Sequence, residues 1–474
     1  MKTEIPENIL RIAACLILAF CVIGCDRYRE QDGTVTVHLD RRFQTINGWE
    51  AVAQAGQDAS AGFKGYRDRL FEMAVNDLGI NRLRLEIRSG QENPVDYYTE
   101  LRAGRITEDR FKEVRYEAVD DNGDPSVLDP SGFKFSETDR TIESVVIPIR
   151  TLLANRGESL YLNLTFVDFS ESAGTSLRHN EEPAEYAEFM LAFFRHMQGK
   201  YGFTPDAIGV ILEPDNTRWA GKDIGEAIKR TAVLLRDEGF TPDFIAPSTT
   251  SMQRAVTMID EIATVPGAVD HISEFSYHRY RGVSTASLTK LAEKAEKFGK
   301  KTSMLEWIGA DHITLHEDLT IGNVSAWEQY TLAFPDEPDN GAQYFMLVSN
   351  GEPDHTPILS DRAKYLRQFF HYVRSGSTRV GAESTVSSIS PVAFVTPQGT
   401  AIAVILAKSA GNVSIVGLPA GRYAVTHATE EGSGVADDAI LSIGEVLKVR
   451  MPGTGVLTVA GLEPKTGNHI DVGY

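Results

Sequence analysis

Between residues 43 and 348 short apolar runs rich in β-branched and aromatic residues alternate with longer stretches whose apolar positions recur every three or four residues. The short runs suit strands buried on both faces, and the longer stretches suit amphipathic helices that cross back over them. Eight strands are predicted, at 44–52, 80–87, 159–166, 207–214, 244–248, 269–280, 301–307 and 341–348. A helix is predicted after each, at 66–78, 138–154, 183–201, 222–238, 251–263, 284–298, 322–334 and 361–373. Eight β-α repeats without a strong break predict an α/β fold, a single closed (β/α)8 barrel over 43–374, rather than a doubly wound sheet.

From residue 375 the helical period stops. Short alternating runs such as Val392-Ala393-Phe394-Val395 and Ala401-Ile402-Ala403-Val404-Ile405-Leu406 are divided by glycine and proline, which predicts a C-terminal antiparallel β-sandwich domain over 375–474. A strand at 33–42 comes too early for the barrel and is expected to join that β domain. The segment 89–137, after the second strand, is long, polar and rich in turn residues (Asn122-Gly123-Asp124-Pro125, Asp129-Pro130-Ser131-Gly132). Loops of that length are usually functional or disordered, and this one is expected to wall a substrate cleft.

The first residues read as an address rather than as core. Lys2 and Arg11 stand in a polar start, 12–24 is apolar, and Val22-Ile23-Gly24-Cys25 resembles the lipobox at which bacterial lipoproteins are cleaved and acylated. The run is shorter than the ~20 apolar residues of a membrane-spanning helix. Residues 1–25 are therefore expected to be a lipoprotein signal, with Cys25 acylated and the chain exported and tethered to a bacterial membrane, on its periplasmic side or at the cell surface. All three cysteines, Cys15, Cys21 and Cys25, lie there, so the remaining chain has no thiol for a disulfide, a metal or a nucleophile. The full sequence is 42% hydrophobic, which suffices to bury a core large enough to need no such staple. A formal charge of −19 opposes binding to nucleic acid, whose phosphates call for a basic surface.

In a barrel of this kind chemistry gathers at the C-terminal strand ends. Ile208-Gly209-Val210-Ile211-Leu212-Glu213-Pro214-Asp215 puts Glu213 at the end of the fourth strand, and Thr302-Ser303-Met304-Leu305-Glu306-Trp307 puts Glu306 at the end of the seventh. A carboxylate is costly to bury alone, so each needs a partner or a task. Two carboxyls facing one cavity suit cleavage of a glycosidic bond, which requires no cofactor.

With these residues in view, the chain resembles the clan A glycosidases, and among them glycoside hydrolase family 30, the xylanase-, glucanase- and galactanase-like enzymes. The resemblance rests on Phe43-Gln44-Thr45-Ile46-Asn47-Gly48-Trp49, Asn81-Arg82-Leu83-Arg84-Leu85, Glu213-Pro214-Asp215, Leu305-Glu306-Trp307, and Tyr365-Leu366-Arg367-Gln368-Phe369-Phe370 leading to Val373-Arg374-Ser375-Gly376. It implies Glu213 as acid/base and Glu306 as nucleophile, with Arg84 beside the nucleophile holding it ionised. In Phe275-Ser276-Tyr277-His278-Arg279-Tyr280 it brings in Tyr277 as a supporting residue and His278 or Tyr280 as a further partner of Glu306. One departure stands out. The family has Asn just before the acid/base, where its amide bonds the sugar 2-hydroxyl, and this chain has Leu212, so Asn163, Asn216 or another donor must replace that contact.

Trp49, Trp219 and Trp307 all fall at or after proposed strand ends, where their rings could stack on sugar faces. His312 and His316 have the spacing of helical metal ligands, but their surroundings read as loop and no metal is assigned to them. The expected activity is retaining hydrolysis of a β-linked extracellular polysaccharide or oligosaccharide, without cofactor or metal. The alternative is a catalytically weak glycan-binding barrel of the same fold.

Overall fold

The computed structural model describes residues 32–462 apart from 170–174, 176, 336–337 and 352. Cys25 and the rest of the expected leader lie outside the described residues. The chain forms two compact units, Phe43–Arg379 and a second one that joins residues up to Arg42 with those from Val380.

Strand β1 (Gly33–Thr45) opens the described chain, and eight further strands close into a parallel barrel. These are β2 (Gly48–Val52), β3 (Arg82–Arg88), β4 (Tyr161–Val167), β5 (Ala207–Gly209), β6 (Asp243–Ser251), β7 (Ile272–Arg281), β8 (Lys301–Met304) and β9 (Val324–Thr331). The ring is completed where β9 lies parallel to β2, with Gly48 opposite Ala326 and Glu50 opposite Glu328.

The last strand corrects the sequence reading. The eighth barrel strand is β9, within the stretch expected as a helix at 322–334, and the helix before it is His312–Thr320. Nearly every residue of β9 is buried, so Val324-Ser325-Ala326-Trp327-Glu328 lacks the period-two alternation that marks a half-exposed strand. The expected strand at 341–348 corresponds to β10 (Phe345–Ser349), which pairs with β11 (His355–Leu359) in a two-stranded antiparallel sheet. His312 and His316 thus stand on a helix, capped by the Asp311 side chain, and not in a loop; the His312 ring stacks on Tyr365 at 4.5 Å.

The barrel interior is unusually polar for a core. Arg82, fully buried, donates to Glu50 (2.8 Å) and to both oxygens of Glu274 (2.8 and 3.2 Å). Buried charges persist only when paired in this way, and removal of one partner would strand the others.

The segment 89–137 carries its own short helices, Tyr97–Arg102 and Glu108–Val114, begun by the side-chain caps Asp96 and Thr107. Among the described residues no helix is long and apolar enough to cross a membrane.

In the second unit β1 joins β12 (Thr378–Ser384), β13 (Ile389–Val395), β14 (Ala401–Ala407), β15 (Gly411–Val416), β16 (Gly421–Thr429), β17 (Gly432–Leu441), β18 (Leu447–Met451) and β19 (Gly455–Leu462). Together they form one hydrogen-bonded array in the order β17-β16-β19-β14-β13-β12-β1-β15-β18, mostly antiparallel, with β1 parallel to β15. Alternate residues such as Val35, Ala403, Ile405, Val413 and Leu457 turn into one apolar core.

Candidate active site

Strand β7 shows how the pleat sorts side chains. Ser276, His278 and Tyr280 share one face, whereas Tyr277 and Arg279 take the other. The Tyr277 hydroxyl donates to Asp318 (2.9 Å) on the helix His312–Thr320, and Arg279 donates to Asp318 (3.1 Å) and Glu317 (2.8 Å). Tyr277 is therefore a fully buried packing residue and not part of the site.

On the other face, Tyr280 donates to Glu306 Oε1 (2.8 Å), and the His278 Nδ1 atom lies 3.0 Å from Glu213 Oε1. Arg84, from β3, donates through Nη2 to Glu306 Oε2 (2.7 Å) and through Nη1 to the Leu305 carbonyl (3.1 Å). One ligating atom from each of Glu213, His278 and Glu306 falls within 4.8 Å of the others.

Burial by itself would raise the Glu306 carboxyl. The Arg84 guanidinium and the neighbouring His278 ring, with the hydrogen bonds from Tyr280 and Arg84, outweigh it and hold Glu306 below the ordinary carboxylate range. A carboxyl lowered in the folded state contributes stability that is complete above its unfolded value of ~4.3, and this is lost as pH falls through the folded value.

Glu213 does not end a strand in the simple sense expected. The ladder of β5 stops at Gly209, and Glu213 adopts a left-handed backbone (φ 49°). Pro214 bars the preceding residue from the right-handed helical region. The strained turn is pinned by Leu212 N–H to the Phe166 carbonyl (2.9 Å) and Glu213 N–H to the Ser248 carbonyl (3.1 Å). Such strain in a non-glycine residue concentrates at functional sites. Asn216, in the next turn, donates to Glu213 Oε2 (2.9 Å).

The other expected residues are divided. Asn163 is buried inside the barrel and donates to Glu50 (3.0 Å). Trp49 is fully buried, stacked on Phe370 at 4.5 Å, and donates its indole N–H to the Val373 carbonyl (2.7 Å). Trp219 is buried edge-on against Phe166 and Tyr186. Neither ring is open to stack on a sugar. Trp307 is half-buried, with the Arg279 guanidinium 5.4 Å from its ring, and remains a platform candidate.

Sequence reasoning missed Glu86, Glu328 and Tyr330, which also surround Arg84. Burial, with Glu50 and Glu306 nearby, pushes the Glu328 carboxyl well up despite Arg84, whose Nη1 lies 3.0 Å from it. The rule that singled out Glu213 and Glu306, a carboxyl in an apolar run, also fits Glu328 once 324–331 is read as a strand. A cleft of about 190 Å³ opens beside Arg84, lined by Glu86, Arg88, Gln54, Glu137 and Phe334 among others.

Glu213, His278 and Glu306 are ligand types that a metal could use. Both Glu306 oxygens are already engaged, however, and a guanidinium 2.7 Å from one of them disfavours a second cation there. What the arrangement offers chemically is one anchored carboxylate facing a second carboxyl that shares a hydrogen bond with an imidazole.

No family model matches the chain, and no curated protein matches it. Solved structures do. A family 30 glycoside hydrolase (GH30) endoxylanase from Clostridium papyrosolvens aligns at TM-score 0.62 and 18% identity, over 90% of this chain and 99% of that one. The GH30 xylanase C catalytic domain from Talaromyces cellulolyticus aligns at 0.65 and 13%, over 91% and 100%. An endo-β-1,6-glucanase aligns at 0.62 and 12%, over 92% and 96%. The chain shares the fold of these proteins, a closed parallel (β/α)8 barrel with a β-rich partner domain.

Proposed function

We propose that this chain is a retaining glycoside hydrolase acting on β-linked polysaccharides or their fragments, with Glu306 as nucleophile and Glu213 as acid/base. The observation that carries the reading is the approach of the two carboxyls to within 4.8 Å, one of them ionised by Arg84 and Tyr280. Retaining sites hold their carboxyls ~5 to 5.5 Å apart, too close for the water that an inverting enzyme activates. The shared fold with two xylanases and a glucanase supports the substrate class.

In the first step the Glu306 carboxylate attacks the anomeric carbon while Glu213 gives its proton to the departing oxygen. In the second, Glu213 takes a proton from water, which releases the sugar from Glu306. The Glu213–His278 hydrogen bond keeps the acid aimed through both steps. The test is to follow the first anomer released by proton NMR, before mutarotation. Retained configuration is expected, and an inverted first product would overturn the role given to Glu306.

A second reading, a glycan-binding barrel with little catalysis, draws support from Leu212. Asn163 is committed to Glu50 and Asn216 to Glu213, so neither is an evident substitute for the missing amide. Binding of β-glucan or xylan without product release in the same assay would favour it.

If Arg84 holds Glu306 ionised, Arg84→Met is expected to let the Glu306 carboxyl rise. The acidic limb of the kcat/KM profile should then move to higher pH, with less activity retained at low pH. An unchanged profile would show that Arg84 acts on something else.

The proposed site of action is outside the cytoplasm, on a membrane, through acylated Cys25. Cys25→Ser is expected to move the protein from the membrane fraction to the soluble fraction. Continued fractionation with membranes would count against the anchor.

A further inference from the structure

Away from the glutamate pair, a second group of acids converges. Single carboxylate oxygens of Glu92, Asp120, Asp121 and Glu185 lie within 4.8 Å of one another. Glu188, one turn along the helix Pro183–Tyr201 from Glu185, faces Asp121, Glu185 and Glu92. The five come from three places in the chain: Glu92 just after the turn Ser89–Gln91 that follows β3, the turn Asp120-Asp121-Asn122-Gly123-Asp124 further along the 89–137 segment, and that helix.

Acidic clusters are common on surfaces, but this one is largely buried. Glu92, Glu185 and Glu188 are only 1%, 4% and 2% exposed. Their carboxylates are also under-satisfied. Both oxygens of Glu188, Oε2 of Glu185, Oε1 of Glu92 and Oδ1 of Asp121 are buried with no N–H or O–H donor, and Glu185 and Glu188 stand at hydrogen-bond distance from each other, where only a shared proton or a cation offsets their charges. Among the described residues no Lys or Arg forms an ion pair with any of the five, and one imidazole, His179, meets the cluster at Glu92 Oε2 (2.8 Å).

Buried carboxylates in such numbers are untenable unless a cation or shared protons offset them. We propose that Glu92, Asp120, Asp121, Glu185 and Glu188 form a structural calcium site that ties the 89–137 segment to the helix Pro183–Tyr201. Calcium takes six to eight oxygens in flexible geometry and accepts several carboxylates, whereas magnesium demands a tight octahedron and keeps its waters. The acids are already drawn together by the fold, with Asp120 Oδ1 fixed by the backbone N–H groups of Asn122 (3.0 Å) and Gly123 (2.9 Å). Because the same segment leads to Glu137 on the cleft wall, the ion would hold that wall in place. This site does not depend on the proposed hydrolase chemistry, and its test does not read activity.

The full chain, stripped with EDTA and desalted, is titrated with calcium chloride by calorimetry, and its thermal midpoint is measured with and without the ion. About one calcium per chain is expected, with a midpoint rise of several degrees that grows with concentration, as for any ligand of the folded state alone. Magnesium should do markedly less. Asp121→Asn, on the half-buried turn, should stay folded by circular dichroism and bind calcium at least tenfold more weakly. Glu188→Gln should do the same and, lacking one acid, be more stable without calcium than the parent chain. A folded, stripped chain that gives no calcium heat and no midpoint change at millimolar ion would overturn the proposal. So would a midpoint that responds to acidification alone, the mark of carboxyls held by shared protons.

Discussion

Glu306→Ala is expected to leave no measurable turnover on any glycoside, including those with activated leaving groups. A good leaving group removes the need for an acid but not the need for something to attack the anomeric carbon, and no covalent glycosyl-enzyme can form without this carboxylate. Folding should survive the change, because Arg84 keeps Glu86 and Glu328 as neighbours (3.3 and 3.0 Å). The measurement is steady-state hydrolysis of aryl β-glycosides, with circular dichroism as the control for folding. Residual rates near the parent value on activated substrates would remove Glu306 from the nucleophile's role.

Glu213→Ala should behave differently. General acid–base catalysis is worth roughly 10²- to 10⁴-fold, so a loss of that size is expected on natural linkages, whose sugar leaving groups need a proton. On dinitrophenyl glycosides the first step needs none. The glycosyl-enzyme should then accumulate as a burst, and azide, which attacks without base assistance, should speed its breakdown and give a glycosyl azide of retained configuration. Equal losses on both substrate classes, with no azide effect, would assign the acid elsewhere. His278 is the nearest candidate, since its Nδ1 lies 3.0 Å from Glu213.

Local pattern determined a good deal about this protein. The eight-repeat barrel followed by a β-rich part was legible because buried strands and crossover helices differ in length and period, and both signals are local. Glu213 and Glu306 were legible for a similar reason, since a carboxyl in an apolar run is anomalous whatever surrounds it.

Only tertiary structure could decide what depends on two segments meeting. The barrel closes through β9, whose two buried faces erase the alternation that would have announced a strand, and Glu328 went unseen with it. Trp49 and Trp219 have the composition of a sugar platform, yet packing encloses both, and burial is a property of the neighbours rather than of the residue. Tyr277 and Tyr280 differ in fate through the pleat alone, which turns one hydroxyl to Asp318 and the other to Glu306. The acid cluster of Glu92, Asp121, Glu185 and Glu188 joins residues nearly a hundred positions apart. No local period records such an encounter, because the fold alone sets which charges share a low-dielectric space.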